Sequence, residues 1–362
     1  LQNRATQRAT HTTGLPFRER ERERVVFIME NFKQSASPRE VLESLAAKQG
    51  LDLLGPAFAD HMDNEDPLRG MKDRFVFPRL ADQTCVEGIM AEGEEEECIY
   101  MCGNSLGLQP KTTKDKVAET LNSWAKLAIN SHFHGSLPAA YCDNYGRETL
   151  GDLVGAAPSQ VVIMNALTVN LHLLLLDFYQ PTETRYKIMI EGHAFPSDRY
   201  AIQSQVRLRG LDPEKAVLQV RPRPGEHTIR TEDILQLLKE EGPSIAVVCL
   251  SGVQYYTGQK FDMERVTKAA QEQGCVVGWD LAHAVGNVEV KLDEWGVDFA
   301  CWCTYKYLFI LPSGPSPSQR PVYFTCPLGV YSMQPPRPSP FPGKVTESQQ
   351  SICSLTRYCI LW

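Results

Sequence analysis

The sequence predicts an α/β protein built on a mainly parallel sheet with helices on both faces. Two observations carry this. Between about residues 160 and 308, short apolar, β-branched segments alternate with segments of helical period, the pattern of a parallel sheet linked by crossovers. Thr168, Asp198, Ser251, Asp280, His283 and Lys306 each fall just past the end of a predicted strand. That is the sheet edge where such folds place ligands.

Residues 1–28 stand apart. The chain opens on Leu1, and 18–24 is an Arg/Glu alternation of low complexity with no apolar core of a secretory signal behind it. This stretch is expected to be a non-native or disordered leader, with the natural start at Met29. Over 38–53, Val41, Leu45 and Ala46 recur at helical spacing, and 92–97 reads as an acidic surface turn. Residues 103–110 (GNSLGLQP) form a loop whose glycines and Asn-Ser pair permit positive φ and expose backbone N–H groups, which suits an anion. Val117, Leu121, Trp124, Ala125 and Ala128 mark one face of an amphipathic helix.

The alternating region then begins. A strand at 160–164 turns through 165–168 into the apolar helix 169–178, placing Thr168 and free backbone amides at a helix N-terminus, a ready phosphate site. A strand at 186–191 precedes Phe195, Pro196, Ser197 and Asp198. Thr231 is the expected N-cap of a helix running to Leu238. The apolar strand 245–250 ends at Ser251, Asp262 caps a helix to Gly274, and the strand 275–279 ends on Asp280. The last strand, from Asp298, delivers Lys306 between Tyr305 and Tyr307.

Composition narrows the function classes. At 362 residues and 43% apolar, the chain can bury a sizeable core. A net charge of −7 argues against nucleic-acid and anionic-membrane partners, and no apolar run approaches the ~18 residues of a membrane span. Eleven cysteines without framework spacing fit a reducing, cytoplasmic compartment, with Cys301 and Cys303 as buried thiols. His132 and His134 lack partners at ligand spacing, so no metal site is expected.

A lysine at the end of a buried strand, taken alone, reads better as a side chain escaping to solvent. Asp280 alone could cap a helix, Phe195 could be core, and His283 could be a satisfied histidine. Together they supply a nucleophilic amine, an acceptor for a protonated ring nitrogen, an aromatic plate and a phosphate cradle. Those are the parts that hold pyridoxal 5′-phosphate.

Six stretches carry a resemblance: 103–110 (GNSLGLQP), 164–170 (MNALTVN), 195–200 (FPSDRY), 251–259 (SGVQYYTGQ), 280–289 (DLAHAVGNVE) and 295–308 (WGVDFACWCTYKYL). They resemble the kynureninase family, pyridoxal-phosphate enzymes of the aspartate-aminotransferase fold, and the likeness runs from about Met29 to Leu308. It implies a fold type I large domain at 111–308 with a seven-stranded-type, mainly parallel sheet between helices. Residues 29–110 would be the N-terminal segment of the small domain and an access loop. By the same resemblance Lys306 carries the cofactor and Tyr305 contacts it. Leu167 and Thr168 bind its phosphate, and Ser251 and His283 help hold it. Phe195 stacks on the ring, on the Phe195-Pro196-Ser197-Asp198 segment, with Asp198 and Asp280 as polar partners. Tyr256 takes part in proton transfer, and Ser105 and His132 meet the substrate. The implied reaction hydrolyses L-kynurenine or 3-hydroxy-L-kynurenine to an anthranilate and L-alanine, in tryptophan catabolism and NAD biosynthesis, and family members pair as homodimers.

The likeness stops after Leu308. Residues 309–362 hold ten of the 24 prolines and five charged residues, with no helical or strand period. They read as an unrelated, disordered tail that leaves the small domain incomplete, without the arginine by which the family grips the substrate carboxylate. Where the family carries Pro-Trp, this chain has Pro138 and Ala139. Two readings follow: a working hydrolase, or a truncated, inactive product or dimer partner. A third is a related class-V aminotransferase or cysteine desulfurase.

Overall fold

The computed structural model describes residues 37–83, 93, 95–142, 144–310 and 329–333, with backbone alone at 309–310 and 329–333. The leader and most of the tail lie outside the described residues. The chain divides into two compact units, Leu1–Phe75 and Val76–Trp362, whereas the sequence reading drew its line after Pro110.

In the first unit, helix α1 (Pro38–Gln49) starts at a capping box. The Ser37 side chain accepts from the Glu40 N–H while Glu40 accepts from the Ser37 N–H at 2.6 Å, so two orphan amides are satisfied. It stops at Gly50, whose φ of 66° suits a residue without Cβ. Helix α2 (Pro56–Glu65) follows, burying Phe58.

The second unit is organised around a sheet. Helices α3 (Thr113–Leu127) and α4 (Arg147–Val154) precede strand β1 (Val161–Ile163) and helix α5 (Leu167–Phe178). Then come β2 (Lys187–Glu191), α6 (Pro196–Leu208), β3 (Val217–Val220), α7 (Thr231–Glu241), β4 (Ile245–Ser251), α8 (Met263–Glu272), β5 (Val276–Asp280), β6 (Phe299–Cys303) and β7 (Gly329–Met333). The strand order is β1-β7-β6-β5-β4-β2-β3. Strands β2 to β6 are mutually parallel, and β7 runs antiparallel to both β1 and β6. The expected mainly parallel α/β sheet is therefore present.

Alternation along the strands sends side chains to two cores, one on each face. Ala300 and Trp302 of β6, with Val248 and Leu250 of β4, pack with Ile234 and Leu238 of α7 and Val266 and Ala270 of α8. Phe299 and Cys301, with Ile188 and Ile190 of β2, pack against Leu171 and Leu175 of α5 and Ile202 and Val206 of α6. Asp262 caps α8 as expected, accepting from the Arg265 N–H at 3.2 Å.

Three details differ from the sequence reading. Thr231 is the first residue of α7 rather than its cap: the N-cap is Arg230, without a side-chain bond. Helix α6 and strand β3 fill a stretch left unassigned, because their apolar positions are interrupted by Arg, Ser and Gln. The tail also supplies a strand where none is expected. Residues 329–333 enter the sheet between β1 and β6, pairing Cys301 with Tyr331 and Val162 with Tyr331. An open β6 edge presents a row of backbone donors and acceptors, and a short β-branched and aromatic segment satisfies them.

Candidate active site

The site forms where β2, β4, β5 and β6 end. Lys306 leaves the turn after β6, and its Nζ lies 2.8 Å from His283 Nε2 and 5.9 Å from the centroid of the Phe195 ring. Burial, then the Lys306 charge, hold the His283 imidazole below its ordinary range. A neutral imidazole can accept from the lysine through Nε2. His283 sits on the turn after β5, and the Gly107 N–H donates to the Tyr305 carbonyl at 2.7 Å, so the 103–110 loop is tied to the lysine turn.

Two helix starts meet at one end of the site. Thr168 on the first turn of α5 and Ser197 on the first turn of α6 bring their hydroxyls to 2.5 Å. Free N–H groups, positive dipole ends and hydroxyls gathered in this way make an anion cradle. The site also holds carboxylates. Asp280 ends β5 and fixes itself by accepting the Ala282 N–H at 2.8 Å. Asp198, buried on α6, has an Oδ1 without a hydrogen-bond partner among the described residues. Burial, then the Asp280 charge beside it, push the Asp198 carboxyl well above the usual range. Gly252 lets the chain after β4 approach this region: a Cβ there would lie 2.7 Å from Leu281 Cδ2 and 3.0 Å from Ala284 Cβ.

A cavity of 690 Å³ joins these groups, ample for a cofactor-sized ligand. Of the residues singled out in the sequence, Leu167, Thr168, Phe195, Ser197, Ser251, Asp280, His283, Tyr305 and Lys306 line it. Pro196 opens α6 beside it, and Asp198 lies buried on the same helix. Tyr256 is 84% exposed and stands outside the lining, as do Ser105 and His132, both exposed. The sequence reading missed Glu191, Tyr255 and Cys303, which also line the cavity. Tyr255 meets the Phe195 ring edge-on at 5.2 Å. Burial raises the Cys303 thiol to about 11 and, with Cys303 beside it, the Tyr305 phenol to about 12. Only the position of Glu191 at a strand end signalled it.

A lysine at the end of a buried strand, facing an aromatic plate, an anion cradle and strand-end carboxylates, defines a class. A family model described as aminotransferase class-V matches residues 99–314, and the chain belongs to that family. Its curated relatives include proteins named kynureninase. One from Nematostella vectensis is 51% identical over 277 residues, 76% of this chain and 59% of the relative. Another, from Homo sapiens, is 48% identical over 271 residues, 75% of this chain and 58% of the relative. The chain thus spans about three fifths of the length of these relatives. A solved structure of the cystine C–S lyase C-DES with its product cysteine persulfide shares the fold, with a TM-score of 0.51 at 14% identity over 64% of this chain and 56% of that one.

Proposed function

We propose that this chain forms the cofactor-binding part of a pyridoxal-5′-phosphate-dependent hydrolase that cleaves L-kynurenine or 3-hydroxy-L-kynurenine to an anthranilate and L-alanine. The observation that carries the reading is the placement of Lys306 Nζ in one cavity with the Phe195 ring, the Thr168–Ser197 hydroxyl pair and the Asp280 carboxylate. The names and identities of the relatives support the choice of substrate.

The residues fit the cofactor. The orphaned Asp198 Oδ1 is a buried polar atom still wanting a partner, and the paired helix starts suit a phosphate. When bound, pyridoxal phosphate supplies an electron sink for carbanion chemistry. Thr168, Ser197 and the amides after Ala166 would hold the phosphate, and Asp280 with Asp198 would take the ring nitrogen. Phe195, braced by Tyr255, would cover the ring. Lys306 Nζ would take the substrate α-proton and return it, with His283 Nε2 orienting the amine between turns. Tyr256 would move a proton, and Ser105 and His132, both outside the lining, would meet the substrate.

The same reading includes a homodimer and a cytoplasmic location. The apolar face of α3 supports pairing: Val117, Leu121 and Trp124 are exposed, Trp124 at 67%, and a second copy would cover them. The free thiols of Cys98, Cys102, Cys249, Cys275, Cys301 and Cys303 fit a reducing compartment. No helix among the described residues is long and apolar enough to cross a membrane.

Two measurements test the proposal. Borohydride treatment of cofactor-loaded protein, followed by peptide mapping, should attach the cofactor to Lys306 and leave Lys306→Arg unlabelled. Label on another residue would end the reading. Incubation with kynurenine should release fluorescent anthranilate; cofactor uptake without anthranilate would favour the inactive-partner alternative.

A further inference from the structure

Glu191 ends β2 and belongs to none of the motifs that mark the site. Its side chain is only 3% exposed, yet with Ser251 it forms part of the cavity wall. Across the sheet, Ser251 Oγ lies 2.6 Å from Glu191 Oε1, and the Ser251 N–H donates to Oε2 at 3.3 Å. The direction of the short bond depends on charge. An ionised carboxylate is acceptor-only and takes the serine hydroxyl proton for itself. A protonated one donates to Ser251 Oγ, and the serine proton is then free to turn into the cavity.

We propose that Glu191 is a positioning residue that keeps a proton and thereby frees the Ser251 hydroxyl to donate to a pyridoxal-phosphate-type ligand. The proposal rests on the cofactor reading above. The groups around Glu191 favour the proton. Asp280 on β5 brings negative charge, while Asp198 on α6 and the Cys249 thiol on β4, both pushed well up by burial, add no cation to the cluster. On the β3 side Glu191 pairs with apolar Val220, while the neighbouring Arg221 is exposed and bonded to Gln219. The nearest cation of the cluster, Lys306, acts on Asp198. Burial pushes the Glu191 carboxyl up, with a smaller push from the Asp280 charge, against the pull of its two bonds from Ser251 and one from its own backbone.

The test is a titration of full-length protein with pyridoxal 5′-phosphate, read by cofactor absorbance, at several pH values between about 6 and 9. Comparing wild type with Glu191→Gln at each pH cancels every titration the two proteins share, including those of the lysine and the phosphate. The Gln amide donates to Ser251 at all pH values, as a protonated Glu191 would. The two affinities should match at the acid end and diverge by about tenfold at the alkaline end, where wild type loses one good hydrogen bond. Ser251→Ala should weaken binding at the acid end and change it little at the alkaline end. Wild type binding more weakly than Glu191→Gln at the acid end, or no Ser251→Ala loss there, overturns the proposal. Absence of uptake by wild type overturns it together with the cofactor reading, so the two failures are distinguishable.

Discussion

Replacing Gly278 with Ala tests whether the spacing between the Asp280 and Lys306 strands is set by one missing side chain. Gly278 on β5 stands opposite Phe299 on β6. A Cβ at Gly278 would sit 2.6 Å from Phe299 Cε1, and closer still to Cε2 and Cζ, where ordinary contact begins at 3.4 Å. The ring must therefore retreat by roughly 1 Å or more, in a core packed without spare room. Phe299 is 1% exposed and lies 4.9 Å from the Phe178 ring, so retreat means spreading the strands. Overpacking of this kind costs about 1–3 kcal/mol, or roughly 2–12 °C in melting temperature for a unit of this size. Asp280 lies two residues beyond Gly278, so cofactor affinity should fall with stability. Thermal melting and cofactor titration measure both, and a Phe299→Leu change in the same chain should recover most of the loss. A Gly278→Ala protein that melts within about 1 °C of wild type, or losses that simply add in the double variant, would refute the reasoning.

Further outcomes follow from other contacts. Thr267→Val should cost about 1–3 kcal/mol in chemical denaturation, because the fully buried Trp279 Nε1–H donates to Thr267 Oγ1 at 3.0 Å and would be left unpaired. Arg185→Met should destabilise by about 3 kcal/mol or more, since the guanidinium donates to the Gly242, Ile245 and Gln273 carbonyls at 3.0, 2.6 and 2.8 Å. Those bonds lie at the sheet end opposite the cavity, so cofactor affinity should not change. His283→Gln should flatten the acid side of the stability profile. The folded imidazole sits below its unfolded value of about 6.5, so the unfolded chain binds more protons in that window. Wild-type stability should then fall as pH drops through about 6.5, and less so in the variant.

Much of the fold was legible because its causes are local. Alternation of apolar runs with helical segments reports which backbone segments pair and which cover them. The Asp262 cap needs residues only three apart. Lys306, Asp280 and Thr168 stand out because each follows an apolar run. The reading faltered where apolar period was weak, at α6 and β3, and at residues 329–333. There a sheet edge, rather than the segment's own sequence, decides the strand.

The sequence by itself determined the alternation of strands and helices apart from α6, β3 and β7, the lysine at a strand end, and the likeness of its motifs to a family. Tertiary structure alone decided the pairing of Glu191 with Ser251, 60 residues apart, the neighbours that crowd the carboxylates, and the bond from Lys306 to His283, 23 residues away. Period and capping act over one or two turns of chain. Burial and charge act through space, and they exist only once distant strand ends have been brought to one edge.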